Sequence, residues 1–197
     1  MKFYLVLCSP LLVISMFSGC SRSERVAPSP TMEQDEVTIV QDQVPSESDQ
    51  QTLVAAKEAL QQRLSGRLMQ AMSQGPAKAI QVCHEEAPRI AAEVGAEHHV
   101  KIGRVGVRLR NPNNKSPQWA TELTDAKTAS ATFATLSNDH AAALLPIKLQ
   151  TQCLMCHGPT DQIAPIIKDQ LARLYPDDQA TGFVEGELRG WFWVETL

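Results

Sequence analysis

The amino-acid sequence predicts an α+β domain with an antiparallel sheet flanked by helices, and three observations carry that expectation. Apolar residues recur at helical spacing between residues 53 and 90, and alternate from Val100 to Arg110. Helix and strand patterns follow one another without the regular alternation that a parallel βαβ sheet requires. No GxGxxG turn, phosphate-binding loop or nucleophile elbow marks a nucleotide-binding or hydrolase sheet.

The chain opens with Lys2 and an apolar run from Phe3 to Phe17, interrupted by Cys8-Ser9-Pro10 and Ser15, which reads as an export signal too short to span a bilayer. The run ends in Phe17-Ser18-Gly19-Cys20. This resembles the bacterial lipobox, where cleavage precedes a Cys whose sulfur carries diacylglycerol, although Phe17 stands where Leu is usual. Residues 1–19 are therefore expected to be a lipoprotein signal peptide and Cys20 a lipid anchor to a bacterial membrane, facing the periplasm. The alternative is an ordinary cleaved signal and a soluble periplasmic protein. Residues 20–50, rich in Ser, Pro, Gln, Glu and Asp, have the composition of a tether, which leaves residues 51–197 as the folded domain.

Within that domain, Leu60, Leu64, Leu68 and Met72 repeat every four residues, the stripe of a helix that Gly75-Pro76 stops. Ile80, Cys83, Ala87 and Ile90 share one face of a second helix, so Cys83 is expected to point inward, and Pro88 implies a kink or a fresh start. Val100 to Arg110 alternates as a strand. A turn at Asn111-Pro112-Asn113-Asn114 leads to Ser116-Pro117, the expected N-cap and first position of a helix carrying Trp119, Leu123 and Phe133. Pro146 interrupts the apolar run of residues 141–149 and predicts an edge strand. A helix over 162–174, a turn at Pro176-Asp177-Asp178 and a strand over 188–195 complete the chain. In that strand Trp191 and Trp193 face one side as packing residues, and His98-His99 reads as an exposed turn.

Charge excludes one class of partner. The 18 basic residues are balanced by 22 acidic ones, for a net charge of -4, and no basic field of the kind nucleic acid needs is present.

The chemistry lies in Cys153-Leu154-Met155-Cys156-His157, a CxxCH sequence, the attachment signature of c-type haem. Two intervening residues set the thiols one helical turn apart, so each can add to a vinyl group while His157 presents an imidazole to the iron. Attachment takes place after export, in accord with the leader. Two readings compete: a CxxC redox disulfide, which lacks a thioredoxin-like setting, and structural zinc with Cys83 as a further ligand, for which three ligands packed within five residues are awkward. The second axial ligand is open. His84, His98, His99, His140, Met69, Met72 and Met155 can all ligate, and Cys83 is the one other thiol of the mature domain, either a ligand or a small buried core residue. Arg104, Arg108, Arg110 and Arg189 are candidates to neutralise haem propionates, or else solvated strand residues.

Several motifs together resemble one family: Ala79-Ile80-Gln81-Val82-Cys83, Ala87-Pro88-Arg89-Ile90-Ala91, Gly103-Arg104, Leu109-Arg110-Asn111-Pro112-Asn113-Asn114, Cys153 to Gly158, Asp178-Gln179-Ala180-Thr181-Gly182-Phe183 and Gly186-Glu187-Leu188-Arg189-Gly190. From about Leu53 to the C-terminus the chain is similar to the Tll0287-like haem domain family, with departures at Val105-Gly106 and Ala120. The resemblance implies a PAS-like fold holding one covalent haem c, with His157 and Cys83 as axial ligands. It also implies a redox or gas-responsive sensory module, since such domains occur on sensor kinases and as stand-alone exported proteins. The rival functions are a periplasmic electron-transfer cytochrome c meeting a redox partner protein and, last, a peroxidase-like enzyme with His84 as its only helper; the expectation is that the chain is not an enzyme.

Overall fold

The computed structural model describes residues 36–197, so the expected signal peptide, Cys20 and residues 21–35 of the expected tether lie outside the described residues. Helix α1 spans Glu47–Met72, α2 Pro76–Glu85 and α3 Ala87–His98; strand β1 follows at Val100–Gly106. After a 3-10 turn at Gln118–Ala120 come α4 (Thr121–Asp125), β2 (Thr132–Thr135), β3 (Ala141–Lys148), a second 3-10 turn at Thr151–Cys153, α5 (Leu154–His157), α6 (Pro165–Leu174) and β4 (Leu188–Thr196).

The four strands form one antiparallel sheet in the order β1-β4-β3-β2. Period-two alternation gives the sheet two apolar faces. Ile102, Ala143, Leu145, Phe192 and Val194 pack under Leu53 and Leu60 of α1 and Ile90 and Val94 of α3. On the opposite face Val105, Leu144 and Trp191 are covered by Trp119, Ala120 and Leu136 instead of by a long helix. The α+β expectation with helices against an antiparallel sheet therefore holds, and the two tryptophans of β4 do face one side. Among the described residues no helix is long and apolar enough to cross a membrane.

Several features differ from the sequence reading. The tether expected over 20–50 ends earlier: Ile39 bridges Leu136, Val37 and Ile39 pack against the Trp119 face, and α1 begins at Glu47 behind Ser46, whose hydroxyl accepts from the Asp49 amide at 3.1 Å. The strand expected to reach Arg110 leaves the sheet after Gly106, because Leu109 turns its carbonyl to the Gln179 amide at 2.8 Å. Ser116 caps nothing, and Phe133 lies in β2 instead of a helix. Strand β3 is interior and not an edge. Its pairing with β2 ends at Leu144, however, so Pro146 sits where β3 has a neighbour on the β4 side only and its missing N–H does not interrupt the β2 ladder. Pro88 gives a fresh start: Glu86 separates α2 from α3, with the proline in the first turn of the new helix.

Candidate functional site

The CxxCH residues lie just beyond the C-terminal end of β3, where a 3-10 turn at Thr151–Cys153 passes into α5. That end of the sheet is also where β1 finishes and β4 begins, since Gly106 pairs with Gly190 and Lys148 with Leu188. The two motif thiols lean on different apolar clusters. Cys153 packs with Leu149, Ala180 and Phe183; Cys156 packs with Ile80 of α2 and with Ile163, Ile167, Leu171 and Tyr175 around α6. Cys83, one helical turn after Ile80, lies within electrostatic reach of Cys156, Arg104 and Arg110. The three cysteines among the described residues are half-buried, and none is bonded to another. Nor do the ligands of the zinc reading converge: among the described residues no group of three or more Cys, His, Asp or Glu side chains is placed to hold a metal ion together.

The loop 178–183 fixes His157. Nδ1 of its imidazole lies 2.7 Å from the Ala180 carbonyl oxygen. A carbonyl can only accept, so Nδ1 is the protonated nitrogen. Burial, reinforced by Arg110 and Arg189, pushes the imidazole down to about 2, so the ring is neutral and Nε2 keeps a free lone pair. Backbone bonds clamp the same loop to α5: the Phe183 amide donates to the His157 carbonyl at 3.0 Å and the Gly182 amide to the Gly158 carbonyl at 2.7 Å. Gly182 adopts φ +74, a conformation that a side chain would strain.

Arg110 ties the pieces together. Its Nε donates to Asp178 Oδ2 at 2.9 Å, and its Nη2 to the carbonyls of Cys156 at 2.5 Å and Ala180 at 3.2 Å. Asp178 Oδ1 in turn accepts from the Ala180 amide at 2.8 Å. The carbonyl that orients His157 is thus itself held by an ion pair only about a tenth exposed, 11% and 10%. Sequence reasoning placed Arg110 among possible propionate partners and gave Asp178 and Phe183 no role; the clustered Asp178-to-Phe183 motif was the one available signal.

The other candidates separate cleanly. His98 and His99 stand at the end of α3, with His99 in the left-handed cap, and His140 precedes β3, bonded to Asn138 and Glu195. All three belong to the opposite end of the sheet, where Val100 pairs with Thr196, about 20 Å away along seven-residue β1. Met69 is 74% exposed, and Met72 packs with Ala71, Ala79 and Val82. Met155 points outward from the motif helix, 45% exposed. His84 is exposed and meets Tyr175 edge-on, ring centroids 5.1 Å apart. Of the non-motif candidates, Cys83 is the one gathered with Cys156 and the arginines.

The donor set fits a covalently held haem: two half-buried thiols one turn apart, a neutral imidazole with Nε2 free, a third thiol on a facing helix and apolar walls from α2 and α6. A family model described as Tll0287-like matches residues 33–196. A solved structure described as the cyanobacterial heme-protein Tll0287 shares the fold, with a TM-score of 0.54 and 23% identity over 78% of this chain and 96% of that one. No curated protein matches.

Proposed function

Because the chain belongs to the Tll0287-like family, we propose that it is a c-type haem protein whose group is attached through Cys153 and Cys156, with His157 and Cys83 as the axial ligands. The observation that carries this reading is the His157 contact with Ala180, which leaves Nε2 as the only lone pair of a neutral ring beside two half-buried thiols. When bound, the group supplies an iron that changes oxidation state and can take a diatomic gas at a vacated axial position.

The protein's own part is to hold two unlike ligands differently. His157 is locked by the loop 178–183, whereas the Cys83 sulfur makes no hydrogen bond among the described residues and rides on the short helix α2. That asymmetry favours a redox or gas-responsive, PAS-like sensory module over an electron carrier, which needs both ligands to stay fixed. The lipobox resemblance extends the proposal to a domain tethered on the periplasmic side of a membrane through Cys20.

Optical spectra of the mature protein made with a cytochrome c maturation system, ferric, ferrous and ferrous under CO, test this. Covalent haem is expected, with a low-spin thiolate signature in the ferric form that Cys83→Ala abolishes, and with CO binding on reduction. Identical spectra for wild type and Cys83→Ala would remove Cys83 as a ligand. A ferrous form that keeps both ligands and refuses CO would favour the electron carrier, and absence of haem would end the reading.

A further inference from the structure

Four guanidinium groups gather at the site end of the sheet, and one carboxylate answers them. Asp178 pairs with Arg110. Arg104, Arg108 and Arg189 have no ion-pair partner among the described residues, and the Arg104 guanidinium makes no side-chain hydrogen bond there, although its backbone pairs with Phe192 in the sheet. Arg108 lies over the Phe183 ring, its Cζ 3.7 Å from the centroid, and Arg189 approaches the same ring at 5.6 Å while donating Nη1 to the Arg108 carbonyl at 3.0 Å. Phe183 itself meets His157 edge-on, centroids 6.4 Å apart. A strand residue, a residue of the segment after that strand and the second residue of β4 thus bring uncompensated positive charge beside the imidazole.

Arg108 is exposed and Arg104 and Arg189 are part-buried, so water shares in solvating them, but the repulsion among three like charges beside one imidazole is relieved when an anion joins them. Burial and the neighbouring Arg110 and Arg104 push Arg189 down to about 10, the direction expected of a cation crowded by its own kind. A planar fork suits a carboxylate, and a phenyl ring under Arg108 holds one fork in plane without neutralising it.

We propose that Arg104, Arg108 and Arg189 form a carboxylate-binding site next to His157, and that its occupants are the two propionates of the haem. The choice of propionates rests on the haem reading; the carboxylate chemistry does not. Cys153 and Cys156 would hold the group by its vinyl carbons, and the arginines would hold it by its carboxylates.

The test uses the full chain with Cys153→Ala and Cys156→Ala, so that haem binds without being attached, and compares haemin with its dimethyl ester. Haemin is expected to bind at least tenfold more tightly than the ester, and this preference is expected to collapse in the same chain carrying Arg108→Gln and Arg189→Gln. Arg108→Lys with Arg189→Lys keeps charge without the fork and should retain part of the preference; far-UV circular dichroism confirms that each variant is folded. In a second arm, malonate and acetate are titrated into the haem-free chain while its melting temperature is followed. Equal binding of haemin and ester, with an arginine-dependent rise in melting temperature on adding malonate, would keep the carboxylate site and overturn the propionates as its occupants. Equal binding and no rise would overturn the site altogether. If neither porphyrin binds, the arginines do not hold the propionates strongly enough to retain the unattached group and the propionates are overturned as occupants, while the malonate arm still decides the arginines and the spectra of the attached protein decide the haem reading.

Discussion

Single residues at this site act mainly through backbone carbonyls. Arg110 is the clearest case, because its guanidinium reaches Cys156, Ala180 and Asp178 at once. Replacing Asp178 with Asn leaves that cation largely buried and unanswered, and a loss of about 3 kcal/mol in unfolding free energy is expected in urea titrations. The same variant loosens the Ala180 carbonyl that orients His157, so its haem spectrum and reduction potential should also shift, which a purely structural ion pair elsewhere would not cause. Gly103 is a second pressure point. A Cβ there would lie 2.5 Å from the Trp193 ring across the β1–β4 ladder, so Gly103→Ala should cost about 1–3 kcal/mol through displacement of the indole. At this scale the reading of the sequence was uneven for a physical reason. Cys153, Cys156 and His157 announce themselves by residue chemistry and spacing and Cys83 is singled out by the family resemblance, while Asp178 and Phe183 acquire meaning only when the loop folds back on α5. The need for Gly103 likewise appears only once the register sets it opposite Trp193.

Elements show a different pattern, most types legible apart from strand β2, and limits not. Periodicity marked α1, the broken α2–α3 pair and β1, whereas β3 showed as a short apolar run because it is buried on both faces. It missed where they end, because hydrogen bonds to distant segments decide that: Leu109 leaves β1 to meet Gln179, and Phe133 joins β2 because β3 lies alongside. The α2–α3 break illustrates how such an end is held. Glu86 sits between the helices, and Arg67 of α1 grips both of its oxygens at 2.7 Å. The Arg67 contact holds the Glu86 carboxyl below the ordinary carboxylate range. A carboxyl so lowered contributes stability that is fully present above its unfolded value of about 4.3 and disappears as pH falls through the lower folded value. Wild type should therefore lose more stability between neutral pH and pH 3 than Glu86→Gln does, measured as urea midpoints at each pH. Equal losses would mean that the pair contributes nothing to the junction.

Across the whole molecule, the two ends of the sheet carry different duties. Residues 36–46 dock at the end away from the cysteines, through the Ile39 bridge to Leu136, although their composition reads as tether; four scattered valines and isoleucines are too few to show periodicity before a partner strand exists. A chain beginning at Glu47 should lose about 2 kcal/mol from the exposure of the Val37 and Ile39 contacts while its haem spectrum stays unchanged. If the spectrum changes as well, the two ends are coupled. The proposed anchor at Cys20 is tested apart from the haem site. Cys20→Ser, expressed with its own leader, should move the protein from the membrane fraction to the soluble periplasmic fraction with the same haem spectrum. If the wild-type protein is itself found in the soluble fraction, the anchor is absent and the leader is an ordinary cleaved signal.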